Sequence, residues 1–307
     1  MDPTRGMKTF ATKPRPESFT PRPCAICGSQ DFRPLWNLES FSYVICAECG
    51  LVQQNPQPDP EFVLARYDDS YRDYEVERQG DYARLERLAL GDLGFAELGA
   101  GIGARAAAQG RSPTFLDVGC ATGALIAGLE KEGWKCVGVE PCVPAARFGR
   151  SLGLDIRPCV LEEAELASAS FDVVHASHLI EHLNDPSVFL LEARRLLAPG
   201  GLLIITTPNI DGLQARLLGP AWRSAIYDHL YLFSKRSLRR LLEKSGFELR
   251  RRATWGGWAA GLKPAFLKKP LDRLVKPLGI GDVMAFLCLS APGEDRGRNE
   301  SGRRNGH

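Results

Sequence analysis

The sequence predicts an α/β fold in which a mostly parallel seven-stranded sheet carries helices on both faces and a small cysteine-rich module precedes it. Three observations predict this. From residue 114 onward short apolar runs alternate with amphipathic stretches, the texture of a parallel sheet joined by helical crossovers. One of those runs ends in an acid-and-glycine turn, "FLDVGCATG", and two Cys-x-x-Cys pairs lie near the amino end. At 307 residues the chain suits one α/β domain with a small accessory module better than two equal domains.

In chain order, residues 1–20 are polar and proline-rich and 292–307 lack apolar side chains, so both read as disordered tails. Residues 21–58 hold the cysteine module, with two strand-like stretches between its pairs. Residues 59–111 read as a helical linker or lid, with Tyr67, Tyr71 and Tyr74 recurring at helical spacing. The main domain spans 112–291. Its strands are "TFLDVG", "KCVGVE", "DIRPCV", "FDVVHAS" and "GLLIITT", with "FELRRRATW" and "DVMAFLCLS" closing the sheet as a hairpin after the helix "SKRSLRRLLEKSG".

Cys24-x-x-Cys27 and Cys46-x-x-Cys49 are separated by eighteen residues, a spacing that suits four thiolates around one structural zinc ion. Gly28 and Gly50 directly follow each pair, where such turns need backbone freedom. Four unligated or redox-active thiols are the alternative. The amino end shows no apolar run of the signal-peptide kind, so the expected compartment is cytoplasmic and reducing, which disfavours disulfides.

Two glycine motifs compete for a nucleotide-type cofactor. A phosphate or sugar site needs a strand that ends in the glycine turn, because only then do the free N–H groups of the next helix face the ligand. Glu97-Leu-Gly99-Ala-Gly101-Ile-Gly103 has no strand before it and reads as a chance match. Asp117-Val-Gly119-Cys-Ala121-Thr-Gly123 follows an apolar strand, precedes an apolar helix, and is trailed 23 residues later by Glu140 at the end of the next strand.

"FLDVGCATG", "VGVEP", "FDVVHASHLIEHLNDP" and "LLAPGGLLIITTPN", in that order, resemble the class I S-adenosylmethionine-dependent methyltransferases, over about residues 112–291. The resemblance implies a Rossmann-like fold and S-adenosylmethionine as cofactor. It assigns Asp117, Gly119, Cys120, Ala121 and Gly123 to the methionine and ribose part, Glu140 and Pro141 to the ribose, Glu162, or else Glu163, to the adenine, and His178 to the cofactor as well. Ala121 departs from the pattern, which most often has glycine there.

Methyl transfer needs a positioned acceptor and removal of its proton, so the histidines His178, His182 and His229 are the candidate catalytic residues. His175 lies within its strand and reads as a core residue. "HLIEH" also matches an inverted zinc-protease pattern, but it falls inside a complete set of cofactor motifs. It is similar, too, to the Glu-x-x-Glu-His segment that holds a divalent ion in some O-methyltransferases of quinone biosynthesis and of small-RNA ends. Here His178 replaces the first Glu, which speaks against an oxygen-rich magnesium site. The segment around His229 resembles bacterial methyltransferases that begin with a Cys-x-x-Cys module, with Trp222 and Tyr227 as candidate acceptor-pocket residues.

The expected acceptor is a small molecule or glycan, methylated on oxygen. Residues 235–276 carry thirteen Lys and Arg against Glu243, Glu248 and Asp272, which would suit an anionic partner. An RNA methyltransferase is the first alternative, although the cysteine module itself is not basic. A non-catalytic zinc-module interaction protein is the second. No stretch is apolar enough to span a membrane, while "GLKPAFLKKPLDRLVKPLGIGDVMAFL" is a candidate for peripheral membrane contact.

Overall fold

The computed structural model describes residues 19–59, 69–257 and 274–291, apart from the side chain of Ser70. Residues 1–18 and 292–307 of the expected tails, Tyr67, and residues 261–273 of the candidate membrane segment lie outside the described residues.

The amino-terminal module contributes β1 (Phe19–Thr20), β2 (Phe32–Asn37), β3 (Ser42–Cys46), β4 (Val52–Gln54) and β5 (Gln57–Pro58). Two helices follow, α1 (Asp69–Asp92) and α2 (Phe95–Ala108). The main domain then runs β6 (Thr114–Val118), α3 (Ala124–Glu130), β7 (Lys135–Val139), α4 (Val143–Ser151), β8 (Ile156–Arg157), β9 (Phe171–Ser177) and α5 (Pro186–Leu196). It continues through β10 (Leu197–Pro208), α6 (Leu213–Leu218), β11 (Tyr231–Leu232), α7 (Lys235–Lys244), β12 (Phe247–Trp255) and β13 (Val283–Ser290).

Seven strands form the main sheet in the order β12-β13-β10-β9-β6-β7-β8. Strands β10, β9, β6, β7 and β8 are parallel, and β13 enters antiparallel between β10 and β12. Alternation along the strands divides the core into two layers. Leu116, Val118, Val174, Ala176, Leu203 and Ile205 face α5 and α7, whereas Phe115, Val173, Leu202 and Ile204 face α2 and α3. The helices start where their chemistry dictates. Asp185 accepts the Ser187 N–H ahead of Pro186 at the head of α5, and Ser234 and Ser237 cap α7 reciprocally, leaving Leu238, Leu241 and Leu242 on its buried stripe.

Three expectations are corrected here. Phe19 and Thr20, assigned to a tail, pair with Gln57–Pro58, because Phe19 finds an edge-on ring partner in Tyr227. Met284–Leu287, the end of the candidate membrane segment, belong instead to buried β13 between β12 and β10, while Leu274 and Leu278 of the same segment are exposed. Trp222, a candidate pocket residue, is a core side chain whose Nε1–H donates to Asp282. The motif Glu97–Gly103 lies inside α2, with no strand leading into it; Gly99 lets the helix approach Trp134, whose ring would stand 3.3 Å from an added Cβ. Among the described residues no helix is long and apolar enough to cross a membrane.

The cysteine module forms a second sheet, ordered β11-β4-β3-β2. Its edge strand β11 comes from the main domain and pairs Tyr231 with Gln53 and Leu232 with Val52.

Candidate active site

The first half of the site lies at the carboxyl ends of β6 and β7. Gly119, Ala121 and Gly123 all take positive φ, at 74°, 48° and 78°, so the chain turns sharply from β6 into α3 and leaves the first helical N–H groups at the sheet edge. Gly123 has no room for a side chain: a Cβ would fall 2.7 Å from Leu154 Cδ1 and 2.9 Å from Ile156 Cδ1. Ala121 adopts the left-handed conformation despite its methyl group, and its N–H donates to Glu140 Oε2 at 2.9 Å. Glu140 Oε1 accepts from the Cys142 N–H at 2.8 Å. Burial pushes the Glu140 carboxyl up to about 7 against these two amides and with Glu75 and Asp117 adding to the rise.

Asp117 is buried and bonds His175 Nδ1 at 2.7 Å across the β6–β9 register, which ties the two strands beneath the turn. Cys120 turns into the core, where its Sγ occupies the space that a Cβ on Gly138 would need. Pro141 is half-buried beside Glu140, and Glu162 is exposed on the short helical turn after β8. The helix α1 covers the turn, Thr122 Oγ1 donating to Gln79 Oε1 at 3.3 Å. The open valences of Glu140, a carboxylate with about four acceptor sites of which two are taken, suit a pair of sugar hydroxyls.

The second half occupies the same sheet edge, at β9 and β10. His178 follows β9 with φ at 51°, a strained setting for a residue other than glycine, held by its N–H to Thr206 O at 2.8 Å. Its side chain is half exposed, and its Nδ1 lies 3.1 Å from Glu181 Oε1. Glu181 is fully buried and accepts from Thr207 Oγ1 at 2.9 Å. Burial alone would raise its carboxyl, but the His178 hydrogen bond and the fields of His178, His182 and His229 bring it down to about 2. Glu181 is therefore a carboxylate, and the His178 Nδ1–H donates to it.

His182 and His229 stack edge-on with ring centroids 4.8 Å apart. His182 Nδ1 lies 2.8 Å from Asp228 O and His229 Nδ1 lies 2.8 Å from Ser224 O, so each ring donates from Nδ1. Burial and the neighbouring His182 push His229 down to about 3. Glu181, His182 and His229 offer donor atoms all within 4.8 Å of one another.

A family model described as "Methyltransferase domain" matches residues 94–251, just over half of the chain. The chain belongs to the methyltransferase domain family. It is 35% identical over 117 residues to a ubiquinone biosynthesis O-methyltransferase of Parvibaculum lavamentivorans, 36% of this chain and 46% of that protein. A Caulobacter relative of the same name is 36% identical over 112 residues, covering 33% and 44%. The chain thus spans about half the length of the curated relatives it matches. Among solved structures, a SAM-dependent methyltransferase from Archaeoglobus fulgidus aligns at 18% identity over 72% of this chain and all of that one, with a TM-score of 0.49.

The methyltransferase domain is joined to a cluster of Cys24, Cys27, Cys46 and Cys49, whose sulfurs all lie within 4.8 Å of one another. Cys24 Sγ is 3.3 Å from Cys49 Sγ and Cys27 Sγ is 3.5 Å from Cys46 Sγ. A tetrahedral ion with Zn–S bonds of about 2.3 Å requires sulfurs about 3.8 Å apart, so the cluster fits zinc. Each knuckle is closed by an N–H of its glycine, Gly28 to Cys24 O and Gly50 to Cys46 O. At Cys46 burial is outweighed by hydrogen bonds from the Cys49 and Glu48 backbone and the adjacent thiols, which bring the thiol down to about 7, whereas burial pushes the Cys24 and Cys49 thiols up.

Sequence reasoning passed over Thr207, Tyr43 and Gln54. Tyr43 and Gln54 are fully buried and reach the backbone of residues 226–229. The one available signal was the pair of glutamines in "LVQQN", polar side chains in a strand that the cysteine turn must bury.

Proposed function

We propose that the protein transfers a methyl group from S-adenosylmethionine to an oxygen of a small-molecule or glycan-type acceptor, with a structural zinc ion in the amino-terminal ribbon. The His178–Glu181–Thr207 chain at the same sheet edge as the glycine turn carries this reading. Family membership and the O-methyltransferase names of its relatives support it. Asp117, Gly119, Ala121, Gly123 and Glu140 with Pro141 hold the donor in this reading; Cys120 supports the turn from within the core and Glu162 borders the adenine.

When bound, S-adenosylmethionine supplies a methyl group that needs no further activation. The chain therefore has to orient the acceptor and take its proton. His178 Nε2 receives that proton, while the carboxylate of Glu181 holds the ring in its Nδ1–H tautomer and stabilises the imidazolium that results. His182 and His229 form the wall beside it. Replacing His178 with Ala is expected to lower transfer of radiolabelled methyl to a panel of phenols and sugars by about 100- to 10,000-fold, with donor affinity by calorimetry unchanged. A variant of undiminished turnover rules out His178 as the base.

A second reading rests on its own observation. Glu181, His182 and His229 converge, and both histidines are fixed through Nδ1, the arrangement that metal-ligating histidines adopt. Such a nitrogen-rich set suits a transition metal better than magnesium. Elemental analysis separates the readings: one metal per chain leaves the histidines to proton transfer, and a second that disappears in His229→Ala assigns them to a metal.

A further inference from the structure

The loop that carries His229 is held by the ribbon. Tyr43 Oη donates toward His229 O at 2.7 Å and Ile226 O at 3.0 Å, while Gln54 Nε2 donates to Tyr227 O at 2.8 Å and His229 O at 2.9 Å. The Gln54 N–H adds a bond to Leu230 O at 2.8 Å. Both side chains are fully buried, so losing one would strand carbonyl groups where no water reaches them.

Tyr43 and Gln54 face each other across the β3–β4 register. The turn of that hairpin is the second cysteine knuckle, since β3 ends at Cys46 and β4 begins three residues after Cys49. From Cys46 to Tyr43 is about 10 Å of strand. On the far side of the loop, Leu230 N–H donates to Glu181 O and His182 Nδ1–H to Asp228 O. Residues 226–230 are thus clasped between the ribbon hairpin and the Glu181–His182 turn. Tyr43 and Gln54 share two carbonyls, those of Ile226 and, at shorter range, of His229 itself, so they set the rotation of the His229 peptide and the direction from which its ring enters the wall.

We propose that Tyr43 and Gln54 are positioning residues for the acceptor half of the site, and that the ribbon's metal acts on that half through them by fixing the hairpin register. The inference rests on the proposed methyl transfer only for its effect on turnover; the placement of His229 and His182 is measured without it.

The test uses the full-length, zinc-loaded protein with ¹⁵N-labelled histidine. In the parent, long-range proton–nitrogen spectra should show His182 and His229 as Nδ1–H tautomers. Tyr43→Phe and Gln54→Met, with zinc content and S-adenosylmethionine affinity by calorimetry both unchanged, should each lose that single tautomer at His229, and at His182 through the shared loop. Turnover with any phenol or sugar that the parent methylates should fall about 10- to 100-fold at unchanged donor KM. Tyr43→Phe alone keeps the ring and its packing on Trp36 and Phe41, so it decides the matter if Gln54→Met does not fold. Parent-like histidine spectra in Tyr43→Phe overturn the proposal, whether or not the protein proves to be a methyltransferase. Lost tautomers in a protein that binds no S-adenosylmethionine support the clasp and overturn the proposed function instead.

Discussion

The proposed donor half and acceptor half of this site share one sheet edge but are built in opposite ways. The centre of the donor half comes from 24 consecutive residues, Asp117 to Glu140, and its geometry is backbone geometry: positive φ at three turn positions and two N–H groups, of Ala121 and Cys142, on one carboxylate. The acceptor half is assembled from four separated pieces, residues 43–54, 178–182, Thr207 and 224–232, through side chains that reach carbonyls more than 170 positions away. The first is fixed by one local stretch of backbone, whereas the second depends on elements that only the tertiary fold brings together.

The strongest way to break this comparison is to remove the ribbon's metal. Cys49→Ser should abolish stoichiometric zinc in elemental analysis and eliminate methyl transfer, because a structural zinc site supplies on the order of 10 kcal/mol to its module. Donor affinity by calorimetry should stay within about twofold, as the hydrogen bonds of Asp117 and Glu140 run to His175, Ala121 and Cys142 and not to the ribbon. A parallel collapse of both would show that the halves are one cooperative unit.

Next in size is Glu140→Ala. Two hydrogen bonds to a carboxylate at about 1.5 kcal/mol each make the dissociation constant for S-adenosylmethionine rise about 100-fold. His178→Ala should leave it untouched, so the pair of variants separates the halves directly.

The same carboxylate sharpens the comparison through pH. Its folded-state pKa is raised from 4.5 to about 7, so its contribution to stability is full below 4.5 and is lost as pH rises through 7. Sugar hydroxyls require the ionised form, so donor affinity moves the other way, strengthening about tenfold between pH 6 and 8. Calorimetry across that range should show the rise in the parent and a flat profile in Glu140→Gln.

The smallest expected effect lies at the opposite edge of the sheet. Arg111 pairs with Asp172 at 2.6 Å beside the start of β6. Its guanidinium is partly exposed, so Arg111→Ala should cost about 1 kcal/mol or less in urea denaturation, with donor affinity and turnover unchanged.

The same division decides what could be read from the sequence. The alternation of strands and helices, the turn at 117–123, Glu140 and the four cysteines follow local rules of spacing and conformation, and the fold carries each of them. The hydrogen-bond partners of His178, His182 and His229 were not legible, because they depend on where β10 and the ribbon come to rest. The ribbon also looked self-contained in sequence, although its fourth strand is Tyr231–Leu232. Trp222 misled for a related reason: its indole meets Asp282, sixty positions downstream and invisible to any local pattern.

That borrowed strand has a consequence for biosynthesis. The four cysteines all lie within the first forty-nine residues, yet the sheet they begin keeps an open edge at β4 until residue 232 has left the ribosome, and the strand that closes it is contiguous with the histidine loop.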